Sequence, residues 1–231
     1  MPAGKLMRVP RQRKRKNKGL TKTQARSVKK IAKSVAMSIP EKKVFGFQEE
    51  NIQLYHNKPD YTQSFLSCKQ GTADDNSLTA NRLVRVGDEF YLRNVNIRLW
   101  LSNKLDRPNC MYKVYLFWYE AGVTLTDAIV YFTQTNKMLD RINDERITLL
   151  DQKTIFSGPM YLNGTEKFEH SYLATLNKSW KSHKIVYDEG GTTPKKRDIG
   201  LCVAVYDAYG TLQTDNIASY AYNARITIQD P

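Results

Sequence analysis

Residues 85–101 read RVGDEFYLRNVNIRLWL, and the way this stretch alternates decides the fold. Phe90 and Leu92 fall in one phase of a two-residue period, whereas Val95, Ile97, Leu99 and Leu101 fall in the other. A period of two marks a half-buried strand. A one-residue slip in it turns every later side chain to the opposite face unless an extra residue bulges out. The spacing predicts a long strand with a β-bulge at Arg93-Asn94, entered through the Arg85-Val86-Gly87-Asp88 turn.

Working outward, the pattern stays β. After the Asp106-Arg107-Pro108-Asn109 turn, Tyr112, Val114, Leu116 and Trp118 line one face of a strand and Met111, Tyr115, Phe117 and Tyr119 the other. A strand apolar on both sides is expected to be central, with its second side against another element or another subunit. Further strands are expected over 147–156, 168–176, 184–187 and 199–206, with a turn at Asn177-Lys178-Ser179-Trp180 between the second and third members of that series. Residues 218–228 close the body, with Tyr220 and Tyr222 on the apolar face. Upstream, Val44 to Tyr55 is expected to form the first strand, broken or bulged near Gly46. Residues 57–63 read as a Pro-Asp turn and 64–69 as a short apolar piece. One body helix is expected over Thr124–Arg141, capped by Thr124 or Thr126. Exposed loops are expected at 71–80, with Asp74-Asp75-Asn76, and at 190–198. Eight strands joined by long loops, with few hairpins, predict an all-β, eight-stranded double-sheet jelly roll over 41–231.

Charge divides the chain differently. It holds 36 Lys or Arg against 23 Asp or Glu, a net +13. Thirteen of those bases lie in residues 1–40, which contain no acid, so the remaining residues balance at zero. The run Arg11-Gln12-Arg13-Lys14-Arg15-Lys16-Asn17-Lys18 repels itself, and residues 1–20 are expected to be disordered when free. Thr21-Lys22-Thr23-Gln24 fits a capping box that starts an amphipathic helix over about 21–38. At about 100° per residue, Ala25, Val28, Ile31, Ala32 and Val35 fall on one side, and Lys22, Arg26, Lys29, Lys30 and Lys33 on the other. Membrane-surface or calmodulin-type binding gives the same pattern. The Arg-rich run upstream adds charge without apolar anchors, which favours nucleic acid. The residues expected to hold its phosphates are Lys5, Arg8, Arg11, Arg13, Lys14, Arg15, Lys16, Lys18, Lys22, Arg26, Lys29, Lys30 and Lys33. Residues 1–40 contain no aromatic side chain, so their binding should be phosphate-led rather than through base stacking. Dense positive charge also suits a nuclear-import signal.

Several function classes find no support. Cys68, Cys110 and Cys202 form no C-x-x-C pair, and an odd count argues against a complete disulfide framework, so a reduced, intracellular chain is expected. No stretch reaches the roughly twenty apolar residues of a membrane span, and the first residues lack a signal-peptide core. The sequons at Asn163 and Asn177 are therefore expected to stay unglycosylated. His56, His170 and His183 lack metal-ligand spacing and read as surface or loop residues. Asp74-Asp75 could help bind a cation but read as solvated loop acids, and the Asp140, Asp144 and Glu145 cluster lacks the oxygen spacing of a calcium loop. Phosphate-loop, nucleophile-elbow and dinucleotide fingerprints are absent, so neither catalysis nor a cofactor is expected.

Taken together, the Lys/Arg-rich arm, the Pro40-Glu41-Lys42-Lys43 junction, the Arg85-Val86-Gly87-Asp88 lead into a bulged strand, and the closing aromatic strand resemble the capsid proteins of small circular single-stranded DNA viruses. The resemblance is to the circovirus-like, CRESS-DNA type, related in layout to satellite tobacco necrosis virus coat protein. It implies a subunit that assembles, sixty copies at a time, into a T=1 icosahedral virion with the arms inward on single-stranded DNA. It also implies that the arm directs the protein to the host nucleus through an import receptor. Sixty such arms would bring on the order of 800 positive charges to the genome, and counterion release would drive packaging without sequence readout. The rival readings are a satellite RNA virus coat protein, a cellular non-specific nucleic-acid-binding protein, whose body should itself be basic, and a jelly-roll enzyme or lectin, which should show a polar pocket.

Overall fold

The computed structural model describes residues 20–36, 42–71, 84–104, 106–133, 135–156, 171–209 and 212–229. The chain divides into two units, Met1–Ile39 and Pro40–Pro231. In the first, α1 (Lys22–Ala36) begins at the expected capping box. The Thr21 amide donates to Gln24 Oε1 at 3.0 Å while the Gln24 amide donates to Thr21 Oγ1 at 3.3 Å, satisfying two amides that the helix itself cannot.

The second unit is built from β1 (Lys42–Tyr55), β2 (Asp60–Thr62), β3 (Lys69–Gln70), β4 (Val84–Arg85), β5 (Glu89–Asn103), β6 (Cys110–Glu120), α2 (Asp127–Val130), β7 (Thr148–Phe156), β8 (Ser171–Val186), β9 (Arg197–Asp207) and β10 (Asn216–Gln229). Two antiparallel four-stranded sheets run in the orders β1-β10-β5-β8 and β2-β9-β6-β7, and β3 with β4 forms a small parallel pair. Setting that pair aside, the first of eight strands is bonded to the last, the second to the seventh, the third to the sixth and the fourth to the fifth. A chain doubled back on itself and then rolled into two facing sheets gives this order, which is the jelly roll.

Strand β5 carries the bulge its alternation predicts. Its register with β10 skips between Leu92 and Asn94, and the register with β8 skips at the same place, so Arg93 is the extra residue of the bulge. Phe90, Leu92, Val95, Ile97, Leu99 and Leu101 can then all point inward, and all are fully buried. Facing them across the sandwich are Tyr112, Val114, Leu116 and Trp118 of β6. The other face of β6 is covered within the subunit: Tyr115, Phe117 and Tyr119 pack with Leu125, Val130, Tyr131, Ile147 and Cys202 beneath the segment joining β6 to β7. Gly200 permits this close cover, since a methyl there would lie 2.9 Å from Leu125 Cδ1.

Four expectations need correction. The bulge in β1 lies at Glu50-Asn51, where the register shifts and Asn51 takes φ 60°, while Gly46 stays paired with Arg225. Residues 171–186 form one strand, because the stretch at Asn177–Trp180 that reads as a turn is the irregularity that answers the β5 bulge. The sequence-expected turn at 57–63 contains β2, a three-residue strand bonded to Leu201–Val203. Among the described residues eight strands thus make up the two large sheets, although one expected pair is a single strand and one strand lay inside a turn. The Thr124–Arg141 helix shrinks to the four residues of α2, with no side-chain bond from Thr126 at its cap. Tyr131 leaves it in extended geometry, φ −124° and ψ 143°, and pairs with Ile142. Burying the adjacent Val130 and Tyr131 in the second cluster outweighs the weak helical preference of a β-branched and aromatic run.

Candidate nucleic-acid interface and the body beside it

Lys22, Arg26, Lys29 and Lys30 are exposed on α1, as are Val28, Ile31 and Val35, and Leu20 is exposed just before it. The first turn contains no acid, so the positive end of the helix dipole adds to the lysine field instead of offsetting it. Lys33 lies within the helix, but its side chain is outside the described residues. So are Lys5, Arg8, Arg11, Arg13, Lys14, Arg15, Lys16 and Lys18, together with Pro40, Glu41, Asp74-Asp75-Asn76, Asn163 and His170.

On the body, polar clusters lock loops. Arg85 is fully buried and donates to the carbonyls of Gly87 and Gly191, the latter at 2.6 Å. It also pairs with Asp88 at 3.3 Å and lies 4.3 Å from the Tyr187 ring centre. Tyr187 in turn donates to the Leu66 carbonyl at 2.6 Å. Beneath the β6–β7 connection, Lys137 is buried with Nζ 3.0 Å from Asp127 and 3.5 Å from Asp140. Asp140 also accepts from Thr133 Oγ1 at 2.9 Å, and Tyr61 donates to Asp127 at 2.8 Å. Neither cluster is legible in the sequence: Asp140 is three residues from Lys137, but nothing local shows that the loop will turn both inward to meet Asp127 and Tyr61.

Histidines and cysteines serve packing. His56 is buried rather than on the surface, its Nδ1 accepts from the Asp207 amide at 3.1 Å, and burial lowers its pKa, which keeps it neutral. His183 is exposed and its ring lies 5.2 Å from that of Trp118; partial burial first, and Arg197 second, lower its pKa. Cys68, Cys110 and Cys202 are free and buried, and burial pushes the Cys110 and Cys202 thiols up to about 12, far from nucleophilic thiolates. Among the described residues no group of three His, Cys, Asp or Glu could hold a metal ion, and no helix is long and apolar enough to cross a membrane.

Asp198 provides a sharp test of this packing. Its Oδ1 accepts from the Leu66 amide at 2.9 Å and the Ile199 amide at 2.7 Å, while burial raises its pKa from 3.8 to about 6. The native state therefore holds this proton more tightly than the unfolded chain. Its stabilising contribution is complete below about pH 4 and is lost as pH rises through about 6, by on the order of 2–3 kcal/mol. Urea unfolding of wild type and Asp198→Asn at pH 4 and pH 7 should show the variant gaining relative stability at the higher pH. Parallel pH dependence would contradict it.

Large exposed apolar side chains sit mostly on loops and edges, with Leu139, Tyr209 and Leu212 in connections and Phe156 at the end of β7. Of the two expectations for the second face of β6, another element or another subunit, the structure shows the first, since both faces are buried inside the subunit.

No protein-family model matches the chain, and no curated protein matches it. Among solved structures, the chain is similar to Desmodium yellow mottle tymovirus at 11% identity and TM-score 0.34, covering 83% of this chain and 89% of that one. It is similar to turnip yellow mosaic virus at 10% identity and TM-score 0.35, covering 83% and 82%. A chain of the T13 IBDV viral particle aligns at 10% identity and TM-score 0.31, covering 82% of this chain and 32% of that one. The jelly-roll assignment rests on the strand order itself.

Proposed function

We propose that the chain is the capsid protein of a small virus. The jelly-roll body assembles with sixty copies of itself into a T=1 icosahedral shell, and the basic N-terminal arm, residues 1–40, binds single-stranded DNA on the inside of the virion. The same arm engages a host import receptor and carries the protein to the nucleus. The observation that carries the reading is the separation of charge from fold: every unit of the net +13 resides in residues 1–40, and the jelly-roll remainder sums to zero. A neutral body lets many copies approach without strong mutual repulsion, while a tethered polycation gains affinity for any phosphate chain through counterion release. A cellular nucleic-acid-binding protein would be expected to extend its basic surface over the body, which here is balanced. Electron microscopy of the purified full chain at high concentration and low salt tests the proposal. Closed isometric particles are expected, and a persistent monomer would overturn it.

A further inference from the structure

The outer face of the β1-β10-β5-β8 sheet has an unusual composition. Because the odd-numbered residues from Val95 to Leu101 point inward, the even ones point out, placing Arg98 and Trp100 side by side on β5, about 7 Å apart along the strand. The register brings Leu173 of β8 opposite Trp100, and Asn223 of β10 opposite Arg98, with Arg225 the next outward residue on β10. Trp100 is 57% and Leu173 72% exposed, and Arg98 and Arg225 are exposed too. From Asn94 to Ser102 on β5, and at the positions beside them on β8 and β10, the other outward residues are Asn, Ser, Thr and Ala; the one carboxylate on these three strands, Glu89 at the start of β5, is paired with Lys184. The acids nearby are Glu50 of the β1 bulge, which lines the same groove as Trp100, and Asp151, which caps the Asn177 amide at 2.8 Å. A shallow groove of about 180 Å³ opens against Trp100, Leu173, Arg98 and Asn223, room for about six waters and so for one flat ring.

We propose that this sheet face is a second nucleic-acid site, at which an unpaired base stacks on Trp100 and Leu173 while Arg98 and Arg225 hold the adjoining phosphates. The inference rests on the nucleic-acid reading above and adds what the arm lacks, since residues 1–40 have no aromatic side chain. Charge selects the occupant: two guanidinium groups outnumber the single groove carboxylate, Glu50, and Glu89 is already paired with Lys184, which leaves a net positive patch complementary to a polyanion. Flatness selects the single-stranded form, because only an unpaired base offers its face to an indole, and amide and hydroxyl side chains around it can meet base edges of any sequence. A second copy of the chain is a poorer fit. A stable interface buries about 800 Å² per partner around an apolar centre, and here only two apolar side chains stand in a polar field.

The test uses the full chain, with a single-stranded oligothymidylate and inorganic polyphosphate as probes, at high salt where phosphate contacts are screened. Trp100→Ala should bind the oligothymidylate roughly tenfold more weakly, Trp100→Phe should lose less, and polyphosphate binding should be the same in all three. Quenching of tryptophan emission by the oligothymidylate should largely vanish with Trp100→Ala, since Trp118 is buried and Trp180 is half-buried with its ring 5.7 Å from that of Trp118. Unchanged oligothymidylate affinity in Trp100→Ala, an equal loss on both probes, or a change in self-association alone would overturn the proposal, the last by making the face a contact between copies. Converting Arg11, Arg13, Lys14 and Arg15 to Gln reads the arm separately: unchanged polyphosphate binding in that variant sinks the arm's role and leaves the Trp100 comparison standing.

Discussion

Arg85→Ala is expected to destabilise the body by about 3 kcal/mol, read as a fall in the urea midpoint at unchanged slope. The size follows from what the guanidinium holds together. It satisfies carbonyls in two separate turns, Gly87 before β5 and Gly191 after β8, and it stacks on Tyr187, whose hydroxyl is bonded to the Leu66 carbonyl. Truncation leaves those carbonyls short of a donor and opens a void the length of an arginine side chain in a region otherwise closed to solvent. Two further variants separate the contributions. Arg85→Met fills the space but donates nothing, so it should recover only the packing part of the loss. Arg85→Lys keeps the charge as a point donor without the planar fork, and it cannot serve both turns and stack at once. A loss below about 1 kcal/mol for alanine would contradict the structural role given to this residue.

The second large effect concerns the arm. Deleting residues 1–20 removes eight cations, Lys5 to Lys18, and leaves α1 and the body intact. For single-stranded nucleic acid each neutralised phosphate contributes about 0.7 to the slope of log affinity against log salt, so the truncated chain should lose about 5–6 from that slope if all eight engage. Nucleic acid should then no longer copurify at moderate salt. Fluorescence anisotropy over a salt series measures the slope directly, and an unchanged slope would show that the arm does not carry the binding.

How far the fold was legible in the sequence depended on range. Strands β5, β6 and β10 declare themselves through alternation, and even the bulge at Arg93 follows from a slip between Leu92 and Val95. Two of the failures share one cause. Residues that break a pattern do so alike in turns and in bulges, so Asn177–Trp180 reads as a turn although it lies within β8, and Gly46 reads as a break although it is paired. Strand β2, three residues behind Pro59, is too short to alternate and exists because β9 supplies its partners. Residues 124–141 have helix-compatible spacing, yet their burial over β6 and the Lys137–Asp127 pair are set by contacts across the fold. For the interface, the arm's charge was visible as composition alone, and so was the absence of aromatics that turns attention to Trp100. What could not be read was the outward neighbourhood of Trp100, since Leu173 and Asn223 reach it only through sheet order.

The central claim is that gripping the genome and building the shell belong to different parts of one chain. The measurement that tests it most directly is the nuclease-protected nucleic-acid content of particles formed by the full chain and by residues 21–231. The account predicts particles of the same size from both, filled in the first case and nearly empty in the second. Equal protected content in the two, or no particles without residues 1–20, would contradict it.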